Sequence, residues 1–256
     1  MFYIDIPENV VDEKYKSMPF QSNIIEDVEE ISEKFYSELG HGDLSNEYAI
    51  KSYFFSIIDS IEEMQVSLVY GSIYSDIFIN NFHENPYHPD NQTYYDKKTN
   101  FFVHSALNHF FTIYDKIGHI VNLKVKIQLR EEAVSFESCL KFFKVKELNT
   151  IEDAIFKLMN QIKNDLVVVK KHRNKNVHRL NPVYTRRKIT SSPGQIQRQD
   201  GTTKDISFVM SELIVPHNAP AGVVDLYHKT IEDCVNVYPK LIEHINSLIH
   251  LVFEDK

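Results

Sequence analysis

The sequence predicts a mainly all-α protein, an up-and-down helical bundle with a small β-hairpin or ribbon before its last helix. Apolar residues recur at three- and four-residue spacing along several long segments, as on the buried face of amphipathic helices. Gly (7) and Pro (9) are few among 256 residues, which argues against a turn-rich β-sandwich. We predict a single domain over 1–256, with a helical extension at about 1–45 and the ribbon at about 183–215.

The apolar periodicity predicts amphipathic helices at 22–39, 46–80, 101–122 and 223–254. Between the second and third of these helices, residues 81–99 have the composition of a polar loop. Pro239 is a position at which the last helix can kink. These segments together predict a bundle whose helices share one core.

The segment 123–147 is ambiguous in sequence. Lys124 to Ile127 alternates like a short strand, whereas Ser138 to Lys144 is compatible with a helical turn. Periodicity does not decide between these readings.

A further helix is predicted to begin at Thr150, which forms a capping-box pattern with Asp153. It runs into the segment Arg173–His178, and Pro182 should end it at or before Asn181. The alternation and turn residues over 183–215 then predict the ribbon.

Charge is distributed unevenly along the chain. The formal net charge is −8, which argues against a general nucleic-acid coat protein. No acidic residue lies between Asp165 and Asp200, although that window contains many lysines and arginines. The window is either the footprint of a polyanion or a solvated helix end followed by a basic hairpin.

The N-terminal sequence Met1 to Asp5 lacks the basic and apolar regions of a secretory signal, and the apolar runs are too short to span a bilayer. We therefore expect a cytoplasmic protein with no membrane partner. Cys139 and Cys234 lack metal or redox spacing, so two buried thiols are expected.

The segment from Arg173 to His178 pairs a permanent cation with a group that titrates near neutral pH. Five residues rotate two side chains by roughly 140° on a continuous helix, so Arg173 and His178 share no face. They can cooperate if the helix loosens or if a second protomer faces the first. Asn174 is four residues from His178 and is predicted to orient the imidazole. Alternatively, His178 simply interacts with the last carbonyls of the helix.

Arg173, Asn174 and His178 at the end of a long helix resemble the Arg-x(4–6)-His motif of the HEPN superfamily. Ser105 to Leu107 and Tyr114 to Gly118 look like the helix that faces the motif in such proteins. The resemblance covers roughly 46–180 and the final helix.

The resemblance implies a dimeric, metal-independent endoribonuclease without a cofactor, of the kind found among toxins and phage-defence effectors. In that reaction His178 would transfer protons and Arg173 would stabilise the phosphorane, leaving a 2′,3′-cyclic phosphate and a 5′-hydroxyl end. Asp115 is the candidate supporting carboxylate, although it can equally be an exposed helix charge. The candidate RNA contacts are basic side chains in or near the motif: Lys170, Lys171, Lys175, Arg179, Arg186 and Arg187.

Two other readings remain open from the sequence. The chain could be a catalytically inactive HEPN-like module that binds RNA, a nucleotide or a protein such as an antitoxin. It could also be an interaction domain whose ribbon docks a partner. No His-Glu-x-x-His motif, Cys/His cluster or Gly-rich phosphate loop is present, so metal and nucleotide-hydrolysis chemistry lack support.

Overall fold

A computed structural model describes residues 6–20, 44–84, 89–178, 186–197, 203–214 and 219–253 of the chain. Within these ranges the side chains of 44–45, 81–84, 89–93, 96, 175–178, both strands and 219–226 are left out of the description. The helix predicted at 22–39 lies outside the described residues.

The described chain is mainly helical, as the sequence predicts, and its helices pack as a bundle. The helices are α1 (Glu8–Lys16), α2 (Leu44–Glu84), α3 (Pro89–Lys124), α4 (Phe136–Phe143), α5 (Thr150–Asp165), α6 (Val167–His178) and α7 (Ala219–Phe253). Strands β1 (Arg186–Gln197) and β2 (Thr203–Ile214) pair antiparallel before α7, with Arg186 opposite Ile214 and Gln197 opposite Thr203.

The prediction of a polar loop over 81–99 is wrong. Helix α2 continues to Glu84, and α3 already begins at Pro89. Proline is favoured in the first turn of a helix, where its missing N–H costs nothing. Tyr95 and Thr99 are buried in this stretch, and Tyr95 packs in a cluster with Tyr74 of α2. The polar composition of 81–99 therefore misled the prediction, because this stretch contributes a buried aromatic residue to the contact with α2.

Helix α3 lies at the centre of the bundle. It packs along α2 and also contacts α4, α6 and α7. The largest fully buried side chains come from α2, α3, α4 and α7 and include Phe54, Met64, Leu68, Phe110, Ile117, Phe136 and Tyr238. Burial of this continuous apolar face is the main force that holds the helices together.

The segment after α3 contains no strand over Lys124–Ile127. The backbone N–H of Val125 still bonds to the carbonyl of Val121, and Lys126 then enters the left-handed region with φ 53°. The helical turn that is compatible with Ser138 to Lys144 is present, as part of α4, which spans Phe136–Phe143. Its N-terminus is closed by reciprocal hydrogen bonds between Ser135 and Ser138.

Helix α4 approaches α3 very closely at Gly118. A β-carbon at this position would lie 2.6 Å from the backbone nitrogen of Phe136. The Sγ of Cys139 donates a hydrogen bond of 3.2 Å to the Gly118 carbonyl in the same contact. Glycine is therefore required here for close approach of the two backbones.

The helix predicted to run continuously from Thr150 is two helices. Helix α5 ends at Asp165, Leu166 breaks the pattern with ψ near 0°, and α6 begins at Val167. The capping box is also one residue earlier than predicted: Asn149 accepts from the Glu152 N–H at 2.9 Å, and Glu152 accepts from the Asn149 N–H at 3.2 Å. Asparagine offers a side-chain oxygen as readily as threonine does, so the pattern alone did not distinguish them.

The last helix runs over Ala219–Phe253 and includes Pro239 within it. None of the helices in the described ranges combines the length and the apolarity that a membrane crossing requires.

Candidate functional site

Helix α6 carries the Arg173–His178 segment and packs between α3 and α7. Its neighbour α7 runs in the opposite direction. Asp233, early in α7, contacts His172 of α6, whereas His244, farther along, contacts Asp165 at the end of α5. The motif helix is thus fixed from two sides, and its remaining surface faces outward.

Arg173 is exposed, and its guanidinium lies over the ring of Phe111 on α3, 4.1 Å from the ring centroid. A guanidinium lies favourably over an aromatic face, while its N–H groups can still bind an anion in the plane of the guanidinium itself. The ring therefore gives a long, flexible side chain a defined resting position. Phe111 was not among the residues singled out in the sequence.

Asp115 lies one helical turn beyond Phe111 on α3. It is exposed, and no ion pair within 4 Å joins it to Arg173 in the described part of the chain. Partial burial raises the pKa of Asp115, and the positive charges of Arg173 and His119 oppose that rise. Asp115 thus acts on Arg173 through space rather than as a direct clamp.

Asn174 is exposed, and His178 is the last residue of α6. The side chain of His178 lies outside the description, so the predicted support of its imidazole by Asn174 stays a prediction. The backbone is α-helical from Val167 through His178. Arg173 and His178 therefore leave the helix about 140° apart, with no loosening of the last turn.

Lys170 forms an ion pair with a carboxylate from α4. Its Nζ lies 2.8 Å from Oε1 of Glu137, while Lys163 contacts the other carboxylate oxygen at 3.0 Å and Tyr114 donates at 3.3 Å. Partial burial opposes ionisation of Glu137, but the bonds from Lys170 and Lys163 outweigh it and lower its pKa to about 2. Lys170 is thus engaged within the protein in this structure.

The remaining basic candidates are distributed differently. Lys171 is exposed on α6. Lys175 on α6 and Arg186 and Arg187 on β1 have described backbone positions but no described side chains, and Arg179 lies outside the described residues.

A buried histidine beside Arg173 was missed in the sequence. Nε2 of His172 lies 2.7 Å from Oδ2 of Asp233, and its Nδ1 lies 3.0 Å from Oγ1 of Thr230. His172 is 5% exposed. A signal was available, because position 172 continues the inward-facing spacing of Leu166 and Val169.

Across the residues that the structure describes, no group of three or more His, Cys, Asp or Glu side chains is arranged to hold a metal ion.

Residues 53–216 of the chain match the family described as Cthe2314-like HEPN. The match covers more than half of the chain and includes α3, α5, α6 and both strands. Neither the curated proteins nor the solved structures include a significant match to this chain. The helical bundle and the extent of the family match together place this chain in the Cthe2314-like HEPN family.

Proposed function

We propose that this HEPN domain is a metal-independent endoribonuclease. The observation that carries the proposal is Arg173, which is exposed on the motif helix and held over Phe111 by stacking. An arginine fixed by stacking can bind the non-bridging oxygens of a phosphodiester with little further ordering, which favours stabilisation of a developing charge. Membership of the HEPN family supports the proposal, because many HEPN domains are ribonucleases.

The reaction requires two proton transfers. A base takes the proton of the ribose 2′-hydroxyl, and O2′ attacks phosphorus. The bond from phosphorus to O5′ then breaks, and an acid gives a proton to O5′. The products are a 2′,3′-cyclic phosphate and a 5′-hydroxyl end. Arg173 neutralises the charge that builds up on the phosphoryl oxygens, and His178 supplies the proton chemistry.

The proposed active form is a homodimer. Because α6 stays helical through His178, Arg173 and His178 of one protomer point in directions about 140° apart. A twofold axis beside the end of α6 places the His178 of each copy next to the Arg173 of the other. One imidazole then acts as the base and the other as the acid.

The RNA backbone is proposed to pass across α6, where Lys171 and Arg173 are both exposed but lie on different sides of the helix. Lys170 joins this surface only if a phosphate competes with Glu137 for its ammonium group. The ribbon residues Arg186 and Arg187 extend the same basic surface in the proposal. Binding should therefore weaken steeply as salt concentration rises.

The test is cleavage of labelled RNA in EDTA by the full chain and by Arg173→Ala and His178→Ala variants. We expect cleavage by the wild type, cyclic-phosphate ends, and loss of about a hundredfold or more in rate for each variant. The control is His109→Ala, since His109 pairs with Glu63 of α2 at 3.2 Å on another face of α3. The control should cleave like the wild type.

Two outcomes would reject the nuclease. Cleavage that survives both substitutions points to a contaminant. Binding of RNA without cleavage by the wild type indicates the alternative, a catalytically inactive HEPN module that binds RNA or a protein partner such as an antitoxin.

A further inference from the structure

The contact between α6 and α7 is specific as well as apolar. Oγ1 of Thr230 lies 3.0 Å from Nδ1 of His172, and Nε2 of His172 lies 2.7 Å from Oδ2 of Asp233, so each ring nitrogen is at hydrogen-bond distance from a side chain of α7. Both ring nitrogens of His172 therefore have a hydrogen-bond partner on α7. Thr230 is 1% exposed and His172 5%, so these bonds are shielded from water. The three side chains are called the α6–α7 clamp below.

The clamp joins the middle of α6 to α7. Val169 of α6 is buried, as is Leu166 just before the helix begins. Among the described side chains from 170 to 174, His172 alone is buried, while Lys171, Arg173 and Asn174 are exposed. Val168 and Val169 supply apolar packing, which is not directional, and Lys170 is bonded to Glu137 on α4. The clamp adds buried hydrogen bonds toward α7, and the geometry of these bonds depends on the rotation of α6.

Rotation of α6 would move Arg173 directly. Adjacent residues are about 100° apart around a helix, so fixing His172 toward α7 turns Arg173 toward α3. There its guanidinium meets the Phe111 ring at 4.1 Å. Consecutive residues of α6 therefore contact two different helices: His172 contacts α7, and Arg173 contacts α3.

We infer that His172 is a positioning residue: through Asp233 and Thr230 it sets the rotation of α6 and so holds Arg173 over Phe111. An apolar residue of similar volume would preserve burial but not the rotation, because apolar packing is not directional. A side chain that keeps only the hydrogen-bond donor toward Asp233 would hold α6 in its rotation less firmly than His172 does.

This inference can be tested without any assay of catalysis. A guanidinium that rests on an aromatic face experiences the ring current of that face, which shifts the Nε–H proton of Arg173 upfield in an NMR spectrum. Phe111→Leu defines the signal without the ring. We expect His172→Leu to move the Arg173 signal most of the way to that value, and His172→Gln to retain a substantial part of the shift.

The overturning result is an unchanged Arg173 signal in a folded His172→Leu variant. If that variant does not fold, Thr230→Val takes its place, because valine nearly matches threonine in shape and removes only one bond of the clamp. A partial loss of the upfield shift is expected there. A wild-type shift in Thr230→Val would refute the role of the clamp.

The catalytic consequence rests on the proposed function. We expect His172→Leu to lower kcat by roughly tenfold to a hundredfold with a smaller change in KM, as expected for misplacement of a catalytic group. In an Arg173→Ala background the same substitution should cost little more, since the residue it positions is already gone. Equal losses in both backgrounds would contradict positioning. Absence of cleavage by the wild type would reject the nuclease, whereas the NMR result would still decide the clamp.

Discussion

Glu137 provides the sharpest test of the electrostatics at the motif helix. The perturbation is Glu137→Gln, which keeps the size of the side chain and an acceptor for Tyr114 but removes the charge that faces Lys163 and Lys170. Glu137, Lys163 and Lys170 lie on α4, α5 and α6 respectively, so the substitution tests how much the ion pairs stabilise the junction of these helices.

The magnitude follows from the pKa of Glu137, which falls from its ordinary 4.5 to about 2. In a fully shielded site that difference would correspond to about 3 kcal/mol of stability. The Glu137 side chain is 36% exposed and both lysines are more than 40% exposed, so water and salt screen the interaction. We therefore expect Glu137→Gln to lower the free energy of unfolding by about 1 kcal/mol at pH 7.

The pH dependence has a definite sign. Because the folded state lowers the pKa of Glu137, its contribution is fully present above the unfolded value of 4.5 and is lost as pH falls toward about 2. Urea unfolding of the wild type and Glu137→Gln should differ by a constant amount from pH 7 to about pH 5.5. The difference should shrink at lower pH and with added salt.

The matched control is Glu132→Gln, at an exposed position in the short 3-10 helix Glu131–Ala133. It should change the free energy of unfolding by less than about 0.5 kcal/mol at every pH. The reasoning is refuted if Glu137→Gln is as stable as the wild type at pH 7, or if its deficit persists unchanged at pH 3.

Three further outcomes are expected. Gly118→Ala should lower the free energy of unfolding, measured in urea, by about 1–3 kcal/mol or more, because its β-carbon would meet backbone atoms of α4. The control is Gly71→Ala, whose β-carbon would have its nearest contact at 3.4 Å and which should be neutral or stabilising. Equal effects of the two substitutions would contradict the close approach of α3 and α4. Burial raises the pKa of Cys139 to about 11 and also raises that of Cys234, so both thiols should resist a thiol reagent at pH 8 until denaturant is added. Fast labelling of the native chain would contradict their burial. Arg173→Lys keeps the charge but loses the planar stack, so cleavage should fall at least about tenfold while RNA affinity changes little; full activity would show that stacking is unimportant.

Periodicity was a sound guide to the long helices and a poor one to their ends. The apolar periodicity of α2, α3 and α7 repeats over many helical turns, so a few polar residues at buried positions do not obscure it. Ends depend on single residues and on packing. The start of α3 at Pro89 and the break at Leu166 were both missed for that reason.

The candidate site shows the same division. The motif residues Arg173, Asn174 and His178 are local in sequence and could be found there, and so could the family resemblance they carry. Their partners are not local. Phe111 is 62 positions before Arg173, and Asp233 is 61 positions after His172, so no spacing rule connects them.

The sequence by itself determined the helical class, the motif helix and the window without acidic residues between Asp165 and Asp200. Only the tertiary structure decided the electrical environment of that window. Glu137 of α4 pairs with Lys170, and Asp233 of α7 pairs with His172, so carboxylates distant in the chain enter a region that is purely basic in sequence. The physical reason is that periodicity reports which side of a helix is buried, whereas charge pairing depends on which helices become neighbours.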